Sequence, residues 1–462
     1  MALNSLALFF HDQTVLLSRN SELTKEKQSN KNIHKLRLSI KSIKSILKIL
    51  ESENSVQIDK QAIYNQLIPL FKTAGSLREQ KVNLKLTKKF NLTEITELNN
   101  FLQKKVFEAE KELKPQIENL NETDLKKCCQ SISTFINSTD FTTLTQIILK
   151  SLNERSDQIK MLTEKPDAII PLHKIRRYLK DIDFALTWLS NSHVFVPGIN
   201  METVNALGRI IGRWHDIVVF KNELKEFEST FPKLQLNTEK ISEAESELRQ
   251  HIIRTLNEIH FVPESKTEGD IFLWFKTRKD YREWLLVNHD KCNRFRMVFY
   301  KKHTSKPNIE YNDAVEESLC FGWIDSLVRR VNDDIYTRKF TPRNLRSRWS
   351  PTNIKRVEKM LNIGMVEASG LKTLPIDPAT GQPDWNKVTV SEMEKKIPDI
   401  PDHIKTIFKQ HEPAWTNFTN LADSYKRQYI LWITAAKTDT TRNKRIKTSL
   451  QLLKENKKPG MI

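Results

Sequence analysis

A short pattern that returns at a constant interval constrains this chain more than any other feature. Ile33-His-Lys-Leu-Arg37, followed by Lys41, recurs as Leu172-His-Lys-Ile-Arg176, followed by Lys180. Further along, Gly75-Ser-Leu-Arg78-Glu79 recurs as Gly212-Arg-Trp-His215-Asp216. The offsets are 139 and 137 residues, so order and spacing both survive. Such self-similarity marks one structural unit laid down twice, here about 1–135 and 136–260. The unit reads as helical. At helical spacing His34, Arg37, Lys41, Lys44 and Lys48 fall within about 80° of one another, with Leu36, Ile43, Leu47 and Leu50 opposite. In the second copy His173, Arg176, Arg177 and Lys180 form the basic face, and Ile175, Leu179, Ile182, Leu186 and Leu189 the apolar one. Glycine is scarce, 10 in 462 residues, which again favours helices over tightly turned barrels and Gly-rich nucleotide loops.

The apolar stripes are expected to pack in a bundle, leaving the basic stripes to face solvent or a shared cavity. Cations three and four residues apart repel one another, and an anion relieves that repulsion. A row of phosphates accepts hydrogen bonds from Arg forks, Lys points and His N–H groups, and favours the charged form of each His. One such stripe alone reads as an ordinary solvated helix face, and a lone His as a cap or core residue. The return of the His at the same place in both copies favours the anion. A metal fits poorly, because each His stands among cations with no carboxylate at ligand spacing.

The whole chain carries 75 Lys and Arg against 57 Asp and Glu, a formal charge of +18. That excess points to nucleic acid, an anionic membrane surface or a phosphate polymer as partner. With 38% hydrophobic residues and nine Trp, the chain buries real cores rather than serving as a disordered basic tail, and its length suits two or three domains. Cys128, Cys129, Cys292 and Cys320 match no zinc or secreted disulfide spacing, so a reducing compartment is expected. The first ten residues lack a basic n-region, and no run is long enough to span a membrane; the expected location is cytoplasmic.

The chain changes character after Phe261-Val-Pro-Glu-Ser-Lys-Thr-Glu-Gly269, which reads as a linker. Seven of the nine Trp follow it. Asp313 to Leu319 reads as a short helix, and Gly322 as a turn into a hairpin of Trp323–Arg329 and Ile335–Phe340; 295–301 is another strand. Helices are expected at about 351–363, 391–411, 414–436 and 440–455. This half is α+β. Asp325 is a candidate acid in a cationic pocket, or a structural partner for an Arg across the hairpin. Cys320 reads as core. The basic, aromatic-flanked stretch 329–348 is a candidate nucleic-acid surface, though no recognised nucleic-acid motif accompanies it. No P-loop, Ser-His-Asp order or metal motif occurs.

Residues 1–260 resemble the CHAD domain, a family named for histidines in an α-helical fold. The family pattern His-x-x-Arg-x-x-x-Arg-Arg-x-Arg is met by His34, Arg37, Lys41, Ser42 and Lys44. The second-copy pattern is met by His173, Arg176, Arg177, Lys180, Asp183 and Phe184. Arg78-Glu79 and His215-Asp216 stand for the later Arg-Asp pair. Ser42, Asp183 and His215 occupy places where the family carries a basic residue. The resemblance implies two pseudo-symmetric four-helix bundles that bind inorganic polyphosphate through His34, Arg37, Lys41, Lys44, Arg78, His173, Arg176, Arg177, Lys180 and His215. Residues 266–462 resemble the YdeI/OmpD-associated family, also labelled bacteriocin-protection proteins. That likeness rests on Glu317–Asp325, Arg338–Arg343, Arg348-Trp-Ser350, Trp432–Lys437 and Thr441–Arg445, and implies a link to envelope or antimicrobial-peptide stress. The resulting expectation is a mainly α protein: a duplicated helical domain, then a smaller α+β domain. It binds a polyanion, most simply polyphosphate, without catalysis or cofactor. The alternatives are an enzyme on phosphorylated or acidic substrates in the second half, and nucleic-acid binding through 329–348.

Overall fold

The computed structural model describes residues 5–51, 60–164, 171–258, 270–388, 398–436 and 438–457. The chain divides into two compact units, Met1–Val298 and Phe299–Ile462. The linker expected at 261–269 lies outside the described residues.

The duplication is visible in the helix lengths of the first unit. The first copy holds α1 (Ser5–Glu26), α2 (Asn30–Leu50), α3 (Lys60–Lys89) and α4 (Thr96–Glu118). After α5 (Glu122–Ser138), the second holds α6 (Phe141–Thr163), α7 (Leu172–Asn191), α8 (Met201–Thr230) and α9 (Glu239–Glu258). The lengths run 22, 21, 30 and 23 residues in one copy and 23, 20, 30 and 20 in the other. Packing repeats as well: α1 on α2, α2 on α3 and α3 on α4 in one copy, α6 on α7, α7 on α8 and α8 on α9 in the other. Across the copies α2 meets α7 and α3 meets α8. The seam expected at 135/136 falls inside α5, which packs on α1 and α3.

Local chemistry explains the boundaries. Ser29, Asp140 and Asn200 cap the starts of α2, α6 and α8 by accepting backbone N–H groups that the helix leaves unpaired. The apolar stripes read from the sequence are the buried ones: Leu36, Ile43, Leu47 and Leu50 on α2, and Ile175, Leu179, Ile182 and Leu189 on α7. Burial of these faces is what turns two basic amphipathic helices inward as a pair.

The first unit continues past the expected linker. It takes in β1 (Phe272–Leu273), α10 (Arg278–Asn288) and the start of β2 (Phe295–Tyr300), which pairs in parallel with β1. Phe195 N–H donates to the Phe272 carbonyl at 2.8 Å, Trp274 N–H to His193 at 2.9 Å, and Trp284 meets Phe141 edge-on at 5.6 Å. These contacts tie 270–298 to the loop after α7 and the start of α6.

The second unit opens with α11 (Tyr311–Cys320) and the antiparallel hairpin of β3 (Trp323–Arg330) and β4 (Ile335–Pro342). Gly322 turns the chain between them at φ +75, where a Cβ would meet Thr373 Cγ2 at 2.7 Å and the Ser369 carbonyl at 2.8 Å. α12 (Pro351–Asn362) and α13 (Ala368–Leu371) follow, and α11 and α12 enclose a core of Val315, Leu319, Trp349 and Val357. A separate core, with Phe408, Phe418, Tyr429 and Ile433, holds α14 (Asp402–Lys409), α15 (Ala414–Asn420), α16 (Asp423–Thr434) and α17 (Asp439–Lys454).

Two expected helices are corrected here. The one at 391–411 is observed only as 402–409, starting after Pro401, with 391–397 outside the described residues. The one at 414–436 is two helices, because Leu421 and Ala422 are extended. The break lets Phe418 and Tyr429 face each other at 6.4 Å in one core. Among the described residues no helix is long and apolar enough to cross a membrane.

Candidate anion site between the duplicated helices

The α2–α7 and α3–α8 contacts bring the basic faces of the two copies together. His34, Arg37, Lys41, Arg176 and Lys180 are each shifted against charge, with one another and Arg78 among the causes. Burial, then Lys180, Arg37 and Arg176, hold the Lys41 ammonium far below the ordinary amine range. Lys180 is lowered by its own burial and by Arg176, Arg78 and Arg37. Of the two amines, Lys180 therefore disfavours the charged form of Lys41. Burial and Arg78 bring Arg37 down to about 10. His34 is lowered by burial first, then by Arg78, Lys41, Lys180 and Arg37.

The compensating acids are few. Asp216 meets Arg78 at 3.4 Å. Burial pushes the Asp216 carboxyl up, but His215, Arg78 and Arg176 outweigh it and hold the group below its usual range. Glu79 acts on Arg37 and Arg176. Asp181 is taken by Lys48, by the Ser45 hydroxyl at 3.4 Å and by Arg155 at 3.8 Å. Gathering cations with so little counter-charge is costly unless an outside anion completes the set.

Two cavities open beside this cluster. One, of about 780 Å³, is lined by His34, Arg78, Lys180, Arg209, Arg213 and Asp216, with Gly208 and Gly212 on its α8 wall. A Cβ on either glycine would meet nothing within 4 Å, so the backbone there is open to a ligand. The other, of about 390 Å³, is lined by Lys41, Lys44, Arg177 and Lys180, together with Phe71 and Phe184. Lys180 belongs to both.

The ten residues singled out in the sequence are therefore not equivalent. His34, Arg37, Lys41, Arg78, Arg176 and Lys180 form the centre. Lys44 and the exposed Arg177 stand at the smaller cavity. His173 and His215 form their own pair, ring centroids 5.3 Å apart, with Trp214 5.2 Å from His173. Burial, then His215 and Arg176, lower His173. His215 Nδ1 lies 3.9 Å from Asp216, too far for a hydrogen bond, so its link to the cluster is electrostatic.

The sequence also treats Arg37 and Arg176 as equals, and the structure separates them. The Arg37 guanidinium lies 4.2 Å from the Phe71 ring centroid, donates to the Phe71 carbonyl at 2.6 Å and covers Gly75, where any Cβ would collide with it. Lys44 and Lys41 approach the same ring at 4.8 and 5.6 Å. Phe71 thus gives three cations a cation–π partner. Arg176 has no such platform, and its Nε finds no hydrogen-bond partner among the described residues. Phe71, Arg209 and Arg213 were not identified from the sequence. The signal was available, since Phe71 and Arg209 share a helix face with a repeat landmark, Gly75 or Gly212, and Arg213 directly follows Gly212.

In the second unit, Asp325 accepts from Tyr311 Oη at 3.0 Å and from Arg338 Nη1 at 3.0 Å across the hairpin, with the Arg338 guanidinium 4.0 Å from the Tyr311 ring centroid. Arg343 is buried, donates to the Ser347 and Arg348 carbonyls at 2.9 Å and stacks 3.7 Å from the Trp349 centroid. Cys320 is fully buried. Among the described residues no His, Cys, Asp and Glu group could hold a metal ion.

Residues 398–456 match the family described as "Bacteriocin-protection, YdeI or OmpD-Associated". Residues 273–373 match a family described as "Domain of unknown function (DUF8412)", so the motifs at 317–350 fall in that segment rather than in the first family. No curated protein matches the chain. One solved structure, "Crystal structure of the CHAD domain from the plant Ricinus communis", is 17% identical, covers 56% of this chain and 93% of its own, and superposes with a TM-score of 0.42. From N- to C-terminus the chain is thus similar to a CHAD domain, to a domain of unknown function and to the YdeI/OmpD-associated family.

Proposed function

We propose that the first unit binds inorganic polyphosphate, or a closely related phosphate polymer, without catalysis. The observation that carries this reading is the half-buried cluster of Arg37, Lys41, Arg176 and Lys180, their protonation equilibria displaced against charge, with Arg78 beside them. A phosphate chain supplies closely spaced negative charge along a line, which matches cations drawn from α2, α3 and α7. Arg176, Arg209 and Arg213 are the groups best placed to fork onto phosphate oxygens, while Lys41 and Lys180 act as point charges. Titration of the full chain with long-chain polyphosphate tests it. Saturable binding that weakens on Arg176→Glu and Lys180→Glu supports the site; binding that survives both substitutions sinks it.

For the second unit we propose a role in protection against envelope or antimicrobial-peptide stress, in a cytoplasmic protein. The support is the description of the family matched at 398–456. Survival of a deletion strain under a cationic peptide, restored by the full chain but not by a version ending before residue 299, tests this role. Restoration by the truncated version would remove it.

A further inference from the structure

The two cavities are lined in part by equivalent positions of the two copies, and the residues at those positions differ. The offset of 139 residues sets Lys41 opposite Lys180, Lys44 opposite Asp183 and Ser45 opposite Phe184. The offset of 137 sets Ile68 opposite Asn205, Phe71 opposite Gly208 and Gly75 opposite Gly212. Each pair contributes one member to each copy, and the larger cavity carries the small or polar one from α8. There Asn205, Gly208 and Gly212 stand where the other copy has Ile68, Phe71 and Gly75, along a cavity of about 780 Å³ that Arg209, Arg213 and Asp216 also line. In the smaller cavity Ile68, Phe71 and Phe184 build an apolar wall around about 390 Å³, facing Lys41, Lys44 and Arg177. Ile68, Phe71 and Phe184 are only partly buried, so this wall meets the cavity rather than closing into core.

A bare phosphate chain gains nothing from an apolar wall; leaving such side chains against water costs free energy that a polar lining would not. A ligand that joins phosphates to a flat, weakly polar group gains from both sides. Pockets of this size and mixed lining suit small organic ligands. The shared Lys180 lets one ligand reach from the apolar wall into the phosphate trough.

We propose that the smaller cavity is a nucleoside subsite, so that the first unit also takes nucleoside polyphosphates, with the base against Phe184 and Ile68 and the phosphates on Lys41, Lys44 and Lys180. This rests on the phosphate reading of the cluster. The test compares ATP with inorganic tripolyphosphate on the full chain, by calorimetry at one salt concentration without divalent metal. Tripolyphosphate carries at least as much charge, so charge alone ranks it first. The expected result is ATP bound roughly tenfold more tightly, since stacking of a base on an aromatic or apolar wall is worth about that factor or more. Phe184→Ser and Ile68→Asn, which write in the residues of the other copy, are expected to reduce ATP to the tripolyphosphate level and leave tripolyphosphate unchanged. ATP no tighter than tripolyphosphate in the unaltered protein overturns the proposal whatever the variants do, and ATP affinity unchanged in both variants also overturns it. Failure of both ligands to bind the unaltered protein would instead remove the phosphate reading beneath it.

Discussion

The two units carry positive charge in opposite ways. The second half of the sequence holds the larger share of the excess, with 37 basic against 26 acidic residues after position 255, yet its cations are dispersed, and several are individually answered. Arg338 pairs with Asp325 at 3.0 Å, Lys359 with Glu316 at 2.8 Å, His303 with Asp334 at 2.9 Å, and buried Arg343 lies on Trp349 with two carbonyls. In the first unit the excess is smaller, but six basic groups converge from α2, α3 and α7 on a few acids. Net charge therefore says little about where a polyanion binds. Unanswered charge in one place says more, because burial makes each added cation more expensive.

The sharpest way to break this contrast is charge reversal in both units. Lys41→Glu with Lys180→Glu is expected to weaken polyphosphate binding by at least about 100-fold, since two central contacts become repulsive. Arg329→Glu with Arg348→Glu, on the exposed face of the second unit, is expected to change it by no more than about threefold. Binding measured at one salt concentration decides, and equal losses from both pairs would dissolve the distinction. Salt sharpens it further. If about four phosphates are neutralised, affinity should fall some tens of fold between 50 and 200 mM monovalent salt, following the slope of roughly 0.7 per phosphate known for single-stranded polyanions. A flat salt response would mean that the cluster is not the binding surface.

A third expectation separates stability from function. Because Lys41 is largely enclosed among cations, Lys41→Met is expected to stabilise the free protein by about 1–2 kcal/mol while weakening polyphosphate binding. Thermal unfolding with and without polyphosphate measures both; a loss of free-protein stability would show that Lys41 serves the fold. The pH dependence follows from the same residues. Folded Lys41 and Lys180 sit below their unfolded value of 10.5, so between the two the unfolded chain binds more protons, and this contribution to stability grows as pH rises through that window. Bound phosphate favours the charged amines and His34, so binding should take up protons near neutral pH and tighten as pH falls. Calorimetry in two buffers of different ionisation enthalpy reads the uptake directly, and proton release on binding would contradict the displaced equilibria.

Much of this was legible in the residues. The two-point repeat located α2, α7 and the critical turns of α3 and α8, because helix packing imposes a fixed interval that a sequence displays. The hairpin, its Gly322 turn and the Asp325–Arg338 pairing were legible for the same reason, since strand alternation and turn chemistry are local. What could not be read was the fate of equivalent residues once packed. Arg37 and Arg176 occupy the same place in the repeat, but Phe71 stacks on one, while the other has Gly208 at the equivalent position, which depends on helices distant along the chain. The break at Leu421–Ala422 was missed for a related reason: it serves a core shared with two other helices, α14 and α17, and no Gly or Pro announces it.

The smallest expected effect tests the second unit by itself. Asp325 offers the one arrangement in that half with the look of a catalytic acid: a nearly buried carboxylate beside Tyr311 and Arg338. Its geometry is also that of a cross-strand clamp, because the tyrosine hydroxyl and the guanidinium both spend their hydrogen bonds on it while stacking on each other. Asp325→Asn keeps the shape and an acceptor but loses the charge that Arg338 faces. A clamp predicts a loss of about 1 kcal/mol in unfolding free energy, most of it recovered when Arg338→Met is added, because the unpaired cation is what remains costly. Polyphosphate affinity should not move. Turnover of a phosphate ester abolished by Asp325→Asn at unchanged stability would instead make the carboxylate a working acid, and the second unit, rather than the first, would hold the chemistry of this chain.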